Sequence, residues 1–248
     1  MNIDALEAIR RARVTKLVGK DGAAVEIELE PALSPMDIER LEVELGVPLS
    51  RELRALLGET SGITGGPLPI IDFTGQSLSF GDPDALPWAL PIAGDGFGNF
   101  WVVDLTPEET ETAPVFFACH DAPVILYQSA TIGDFLHEAF RMLEPPHASA
   151  VDNVHEDRLF KVWRENPGTL EHSAALADDE PMRAFAAELD DRFVFVDLRS
   201  PPVGMGFSWG RYGPRTDVRR HGHERLFAYA PPEKRPGLLA RLARLQSR

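Results

Sequence analysis

Three short apolar runs lie at residues 100–103, 114–117 and 124–127, and they constrain the fold more than any other feature of the sequence. Each run is rich in Val, Ile and Phe or Tyr, and turn-forming residues separate it from the next. β-branched and aromatic residues in short runs bounded by turns are typical of strands. The pattern therefore predicts three strands of one sheet.

Helices with clear start and stop signals flank this predicted sheet. Ser34 can cap a first helix that ends at Gly46, Ser50 can cap a second that ends before Gly58, and Thr131 can cap a third after the last run. Each helix carries apolar residues at spacings of three and four, which predicts one buried face. The residues of these faces are Ile38, Leu41, Leu45, Leu53, Leu56, Leu57, Ile132, Phe135, Leu136, Ala139, Phe140 and Leu143.

The remaining segments divide the chain into three parts. Residues 1–32 predict a short helix and a hairpin, in which residues 24–29 form a single strand with one wet face. The sequence Glu144-Pro145-Pro146 stops the last helix of the central part and is the best candidate boundary. Residues 144–248 predict a smaller α+β unit that ends in a helix at 238–245. The predicted parts are therefore 1–32, 33–143 and 144–248.

Charge is distributed unevenly along the 248 residues, whose formal net charge is −14. Residues 33–143 hold 4 Lys+Arg against 17 Asp+Glu, a net of −13, whereas residues 199–248 hold 11 against 3, a net of +8. The acidic centre argues against nucleic acid as the ligand and favours a basic protein partner, because complementary fields speed encounter. The alternative is that the acidity only keeps the protein soluble.

The sequence has no apolar run long enough to cross a membrane, no secretory signal and only one cysteine. We therefore expect a cytoplasmic protein with no disulfide, no membrane contact and no multi-cysteine metal site.

Several residue clusters could carry chemistry, and each also has a structural interpretation. The Gly94–Asn99 loop could bind an ion through Asp95 and Asn99, could face a partner, or could be a tight turn, which we favour. His221, His223 and Glu224 are metal-ligand types without a third strong ligand at suitable spacing, so a chance polar stretch is favoured.

Two further clusters combine reactive or stacking side chains. Cys119, His120 and Asp121 are adjacent and would point apart on a strand, which favours a buried structural cysteine. Segment 204–213 combines glycines and aromatics with Arg211, and such a segment could stack on bases. The negative field of the chain favours instead a contact within the chain or with a second copy, which makes a homodimer a candidate assembly.

The order of the central segments resembles the SUKH family, which includes the fungal Smi/Knr cell-wall-assembly regulators and bacterial immunity proteins. The similar segments are the helix pair at 33–50, the polar-glycine turn at 60–62, the glycine-rich turn and aromatic strand at 90–101, and the strands and closing helix at 114–140. One departure is Ser50, where the family pattern has proline.

This resemblance implies an α+β fold with a curved, mainly antiparallel sheet flanked by helices, no catalysis and no cofactor. It also implies a protein partner, which in the bacterial branch is a toxin, often a basic nuclease. A regulatory or scaffold role without a toxin is the alternative, and a metal-dependent enzyme using His221–Glu224 is the third hypothesis. The predicted partner-binding residues are Glu39, Glu42, Glu44, Glu52, Asp95, Phe97 and Asn99.

Overall fold

The computed structural model describes residues 3–78, 81, 85–108 and 110–232. The helices there are α1 (Ala5–Val14), α2 (Pro35–Leu45), α3 (Arg51–Leu57), α4 (Ile132–Arg141), α5 (Ala150–Asp152), the π-helical segment η1 (Asn153–Arg158), α6 (Leu159–Glu165), α7 (His172–Ala175) and α8 (Glu180–Ala187). The strands are β1 (Leu17–Val18), β2 (Ala24–Val25), β3 (Glu28–Leu29), β4 (Ile63–Thr64), β5 (Ile70–Ile71), β6 (Ala89–Gly94), β7 (Phe100–Asp104), β8 (Val115–Cys119), β9 (Val124–Ser129), β10 (Leu170–Glu171), β11 (Val194–Asp197), β12 (Gly206–Phe207), β13 (Asp217–Arg220) and β14 (Leu226–Ala230).

The larger sheet has six antiparallel strands in the order β12-β9-β8-β7-β6-β5. The three apolar runs are β7, β8 and β9, so the prediction that they share one sheet is confirmed. These strands are almost continuously apolar because both faces of the sheet are buried. Trp101, Phe117 and Leu126 face one core, while Phe116 and Ile125 face another.

Helices cover the first face of this sheet. Ser34, Ser50 and Thr131 cap α2, α3 and α4 as predicted, each accepting a hydrogen bond from a backbone N–H of the first turn. Gly46 ends α2 with φ 69°, a conformation that suits glycine. Helix α1 packs against α4, and the backbone of Ile3 to Ala5 at the start of α1 leaves no room for a Cβ atom at Gly133.

A second antiparallel sheet, in the order β10-β11-β14-β13, stacks on the opposite face of the six-stranded sheet. Phe207, Phe227 and Tyr229 pack there as stacked rings whose centroids are 5.0 and 5.7 Å apart. Helices α7 and α8 cover its outer side through Phe185 and neighbouring apolar residues. The protein is therefore built as helices, six-stranded sheet, four-stranded sheet and helices, which confirms the α+β class.

The chain beyond Leu143 contributes to both faces of the larger sheet. Its α5, η1 and α6 join the helical layer through Val151, Val154, Leu159 and Val162, and its β12 pairs with β9 at the sheet edge. The division into 1–32, 33–143 and 144–248 stays a prediction, and the helix predicted at 238–245 lies outside the described residues.

The prediction that residues 24–29 form a single strand is wrong. β2 pairs with β1 to close the hairpin, whereas β3 pairs with β4. The chain changes partners near Glu26, whose carbonyl is approached by Gly65 so closely that any Cβ there would clash. A β-bridge between Gly62 and Asp72 links the segment next to β4 to the edge of the six-stranded sheet next to β5. The β3–β4 pair therefore lies beside that edge.

A buried cluster of charges joins the two sheets. Asp104, at the end of β7, accepts two hydrogen bonds from Arg220 of β13, at 2.8 and 2.9 Å, and a third from Arg225 Nε at 2.8 Å. The Asp104 side chain is fully buried and that of Arg220 is 3% exposed. The Arg220 guanidinium also lies 5.3 Å from the ring of Trp88 and 5.5 Å from that of Phe227.

We expect Asp104→Ala to lower the free energy of unfolding by about 3–5 kcal/mol, because the substitution leaves buried arginine charge without its carboxylate. Urea denaturation followed by tryptophan fluorescence measures the change. Asp121→Ala, at an exposed turn position, is the control and should shift stability by less than about 0.5 kcal/mol. A loss below about 1 kcal/mol in Asp104→Ala would contradict this role for the buried cluster.

Candidate partner-binding surface

The outer face of α2 presents apolar and acidic side chains to solvent. Met36 and Val43 lie two turns apart on the same face of the helix and are 68% and 81% exposed. Glu39 and Glu44 are exposed beside them, as predicted from the sequence. We call these four residues the α2 surface. Arg40 also lies there, but its charge is offset by an ion pair with Asp37 at 3.3 Å.

Met36 and Val43 were not predicted as surface residues from the sequence. Both could have been found, because neither lies on the stripe Ile38-Leu41-Leu45 that faces the core. An apolar residue on the outer face of an amphipathic helix is exposed by geometry alone. Their exposure adds an apolar centre to a surface that was predicted from its charge.

Glu42 and Glu52, the other predicted acidic residues of this helix pair, turn inward to hydrogen-bond backbone groups. Glu42 Oε1 accepts from the Leu49 N–H at 2.8 Å and also pairs with Arg54. Glu52 of α3 accepts from the N–H groups of Ile132 and Gly133, at 3.1 and 2.9 Å, and so holds the first turn of α4.

Burial raises the pKa of Glu52 although these backbone bonds oppose the shift. Both carboxylates thus position helices, whereas Glu39 and Glu44 remain available to a partner.

The Gly94–Asn99 turn is closed by its own side chains. Asp95 and Asn99 are buried, and the Asp95 carboxylate accepts from the backbone N–H groups of Phe97 and Asn99 and from Asn99 Nδ2 at 2.6 Å. Gly96 and Gly98 adopt φ of 79° and 90°, as the tight-turn interpretation requires. Phe97 projects from the tip and is 80% exposed.

A histidine from the later part of the chain completes the contacts of Asp95. His155 Nε2, in η1, donates to Asp95 Oδ2 at 3.2 Å, and its ring packs 5.7 Å from Trp101 and 5.3 Å from Phe117. Burial pushes the pKa of Asp95 upward, but the bonds from Asn99, Phe97 and His155 outweigh burial and leave the pKa below its usual value. No local pattern around His155 indicated this contact.

The predicted partner-binding residues thus fall into two separate groups. Glu39, Glu42, Glu44 and Glu52 belong to the α2–α3 helix pair, and Asp95, Phe97 and Asn99 belong to the turn between β6 and β7. Within the described part of the chain no hydrogen bond or ion pair joins the two groups. The α2 surface has four exposed side chains, whereas the turn exposes the side chain of Phe97.

The metal-type residues near the β13–β14 turn contact different neighbours. The ring of His221 packs 5.0 Å from that of Phe185, while His223 packs 4.8 Å from Trp88 and pairs with Glu108. Among the residues that the structure describes, no three His, Cys, Asp or Glu side chains are grouped closely enough to hold a metal ion. The metal-enzyme hypothesis therefore gains no support from this arrangement.

Cys119 is a core residue, as its apolar neighbours predicted. It is buried among the side chains beneath the helices, and burial raises the pKa of its thiol. The adjacent His120 donates from its backbone N–H to Asn99 Oδ1 and brings its ring nitrogen Nδ1 within 3.0 Å of the same oxygen. The two contacts between His120 and Asn99 hold the β6–β7 turn against the β8–β9 hairpin.

The central part of the chain matches a known protein family. Residues 32–138 match the SMI1 / KNR4 family (SUKH-1), a segment somewhat shorter than half of the chain. It extends from just before α2 into α4 and contains the α2 surface and the Gly94–Asn99 turn. No curated protein and no solved structure shows a significant match. No helix in the described ranges is long and apolar enough to span a membrane.

We expect Asp95→Asn to lower the free energy of unfolding by about 1.5–3 kcal/mol at pH 7, because a charged acceptor of several hydrogen bonds is lost. The folded pKa of Asp95 is depressed, so this stabilisation is present above its unfolded pKa of about 3.9 and is lost as pH falls through the folded pKa. The difference between the variant and the wild type should therefore shrink at acid pH.

Urea denaturation at neutral pH and at successively lower pH measures this dependence. Asp121→Asn, on the exposed turn after β8, is the matched control. A difference between Asp95→Asn and the wild type that stays constant down to the lowest pH would show that the Asp95 charge does not stabilise the turn.

Proposed function

Because residues 32–138 match the SMI1/KNR4 family (SUKH-1), we propose that this chain is a non-enzymatic protein-binding module that neutralises a basic toxin. The observation that carries the proposal is the α2 surface. It places two exposed apolar side chains, Met36 and Val43, between the carboxylates of Glu39 and Glu44. Family membership supports a binding or regulatory role, since SUKH proteins are generally non-catalytic.

The apolar centre of the α2 surface supports protein binding more specifically than the charge does. Exposed large apolar side chains grouped together and rimmed by polar residues are typical of interaction sites. Met is adaptable in shape and is enriched in the buried centres of interfaces. Burial of Met36 and Val43 against a partner would supply affinity, while Glu39 and Glu44 at the rim would supply orientation.

The electrostatic field of the domain supports a basic partner. Residues 33–143 carry a net charge of −13, from 4 basic and 17 acidic residues. A nuclease toxin is basic where it binds phosphates, so an acidic inhibitor meets it with a favourable field and blocks the same cations. A partner that is neither toxic nor basic would instead place the chain with the regulatory or scaffold proteins of the family.

The experiment begins by identifying the partner with the immobilised chain, using lysate that expresses the neighbouring genes, at low and at high salt. The captured protein is then expressed alone and together with the chain in a test strain. The proposal expects the partner to arrest growth when it is expressed alone and growth to recover when the chain is present. A partner that is harmless on its own would reject the toxin-neutralising role and favour a regulatory one.

We expect Glu39→Lys combined with Glu44→Lys to weaken binding to the purified partner about 10- to 100-fold at low salt, since like charges then face each other. Val43→Asp should weaken it by a similar factor that persists at high salt, because the loss is one of apolar contact. Isothermal titration calorimetry at two salt concentrations measures both effects.

The matched control for the double variant is Asp121→Lys with Glu188→Lys, which changes the net charge equally at exposed positions elsewhere. If the control weakens binding as much as the α2 variant does, the partner responds to net charge alone. That result would remove the α2 surface from the proposal.

A further inference from the structure

The helical segment formed by η1 and α6 has one buried face and one exposed face. Val154, Leu159 and Val162 enter the core beneath the six-stranded sheet. The opposite side presents large aromatic rings, with Phe160 47% and Trp163 41% exposed. We call the exposed residues Glu156, Asp157, Phe160, Trp163 and Arg164 the α6 surface; their spacings of three and four residues place them on one side of the helix.

Charge changes sign along the α6 surface. Glu156, whose Oε1 lies 3.1 Å from His155 Nδ1, and Asp157 lie at its N-terminal end. The two aromatic rings lie in the middle, and Arg164 lies at the C-terminal end. The Arg164 guanidinium is 5.6 Å from the centre of the Phe160 ring. Exposed Lys161 lies on the flank, and among the described residues neither Lys161 nor Arg164 forms an ion pair. Both cations are thus available to an outside carboxylate.

The loop before β13 adds to the basic end of this surface. Arg211 Nη1 donates to the carbonyl oxygen of Trp163 at 2.7 Å and fixes the loop to the end of α6. Tyr212, the next residue, is 41% exposed. Segment 204–213, singled out in the sequence for its aromatics and Arg211, therefore makes a contact within the chain and widens the aromatic surface with a further cation.

We propose that the α6 surface is the contact of a two-fold symmetric dimer with a second copy of this chain. A two-fold axis requires a surface that is complementary to itself. When two copies of this segment pair antiparallel, the acidic end of each faces the basic end of the other, and the Phe160 and Trp163 rings meet in the centre. Trp and Arg are also the residue types most enriched at the energetic centres of interfaces.

The charges also make a second copy a better occupant than nucleic acid. Glu156 and Asp157 lie on the same face as the rings and would repel phosphates, as would the net charge of −14. A second copy instead supplies both the carboxylates and the cations that this face needs. This dimer contact is independent of the α2 surface and of the partner proposed for it.

Charge reversal tests the dimer through two complementary variants. The first, Glu156→Lys with Asp157→Lys, makes both ends of the surface basic; the second, Lys161→Glu with Arg164→Glu, makes both ends acidic. Each variant alone then faces its own charge and should dimerise at least about 10-fold more weakly than wild type. An equimolar mixture should form a heterodimer, since every end again meets its opposite.

Sedimentation velocity at low salt measures these equilibria over about 1–200 µM, the range in which weak interfaces dissociate. Controls of matched charge are Asp121→Lys with Glu188→Lys for the first variant and Arg13→Glu with Lys16→Glu for the second, all at exposed positions. Circular dichroism verifies folding, and Trp163→Glu provides a second disruption if a charge variant fails to fold. The proposal is overturned if wild type stays monomeric throughout, if the variants dimerise like wild type, or if the mixture stays monomeric.

Discussion

The Asp104 carboxylate holds the two sheets together from the inside. Apolar contacts between two stacked sheets set the distance between the sheets. They fix the relative orientation of the sheets less well, because apolar contacts are non-directional. The paired bonds from Arg220 are directional, since a planar guanidinium meets a carboxylate in one orientation. Removing these groups from water is costly, and the rings of Trp88 and Phe227 beside Arg220 offset part of that cost. One acidic residue at the end of β7 therefore helps to orient the second sheet, and the helices outside it, on the first.

Carboxylates in this chain have two different roles, and composition does not separate them. Glu42, Glu52 and Asp95 accept hydrogen bonds from backbone N–H groups, so they hold helix ends and a turn in place. Glu39 and Glu44 are exposed on α2 beside two apolar residues. A negative net charge is therefore a poor guide to a partner surface on its own. Exposure combined with an apolar centre is the better criterion, and it identifies the α2 surface.

Local signals in the sequence predicted the helices and strands well where the pattern was strong. Ser34, Ser50 and Thr131 could be recognised as caps because capping depends on neighbouring residues only. The apolar runs β7 to β9 predicted a sheet. That a second sheet, formed by residues far along the chain, buries one of its faces was not predicted.

Contacts between distant segments were not predictable in the same way. The ion pairs of Asp104 span more than a hundred residues, and the bond from His155 to Asp95 joins a π-helical segment to a turn with no pattern that links them. The split of residues 24–29 between two partners has the same cause, because the choice of partner depends on where β4 lies. At the candidate site, the charges of α2 were predictable and the inward turn of Glu42 and Glu52 was not.

The α2 surface and the α6 surface share one helical layer but differ in where they stand in the chain. The first lies within residues 32–138, which match the SMI1/KNR4 family, and the second lies beyond them. Segment η1–α6 is nevertheless tied to the family segment through Asp95 and through the core beneath the helices. A second copy bound at α6 would therefore be held rigidly relative to residues 32–138. Two copies joined in this way would present two α2 surfaces, so a dimer would bind a multivalent partner with higher avidity without any change in the α2 contact itself.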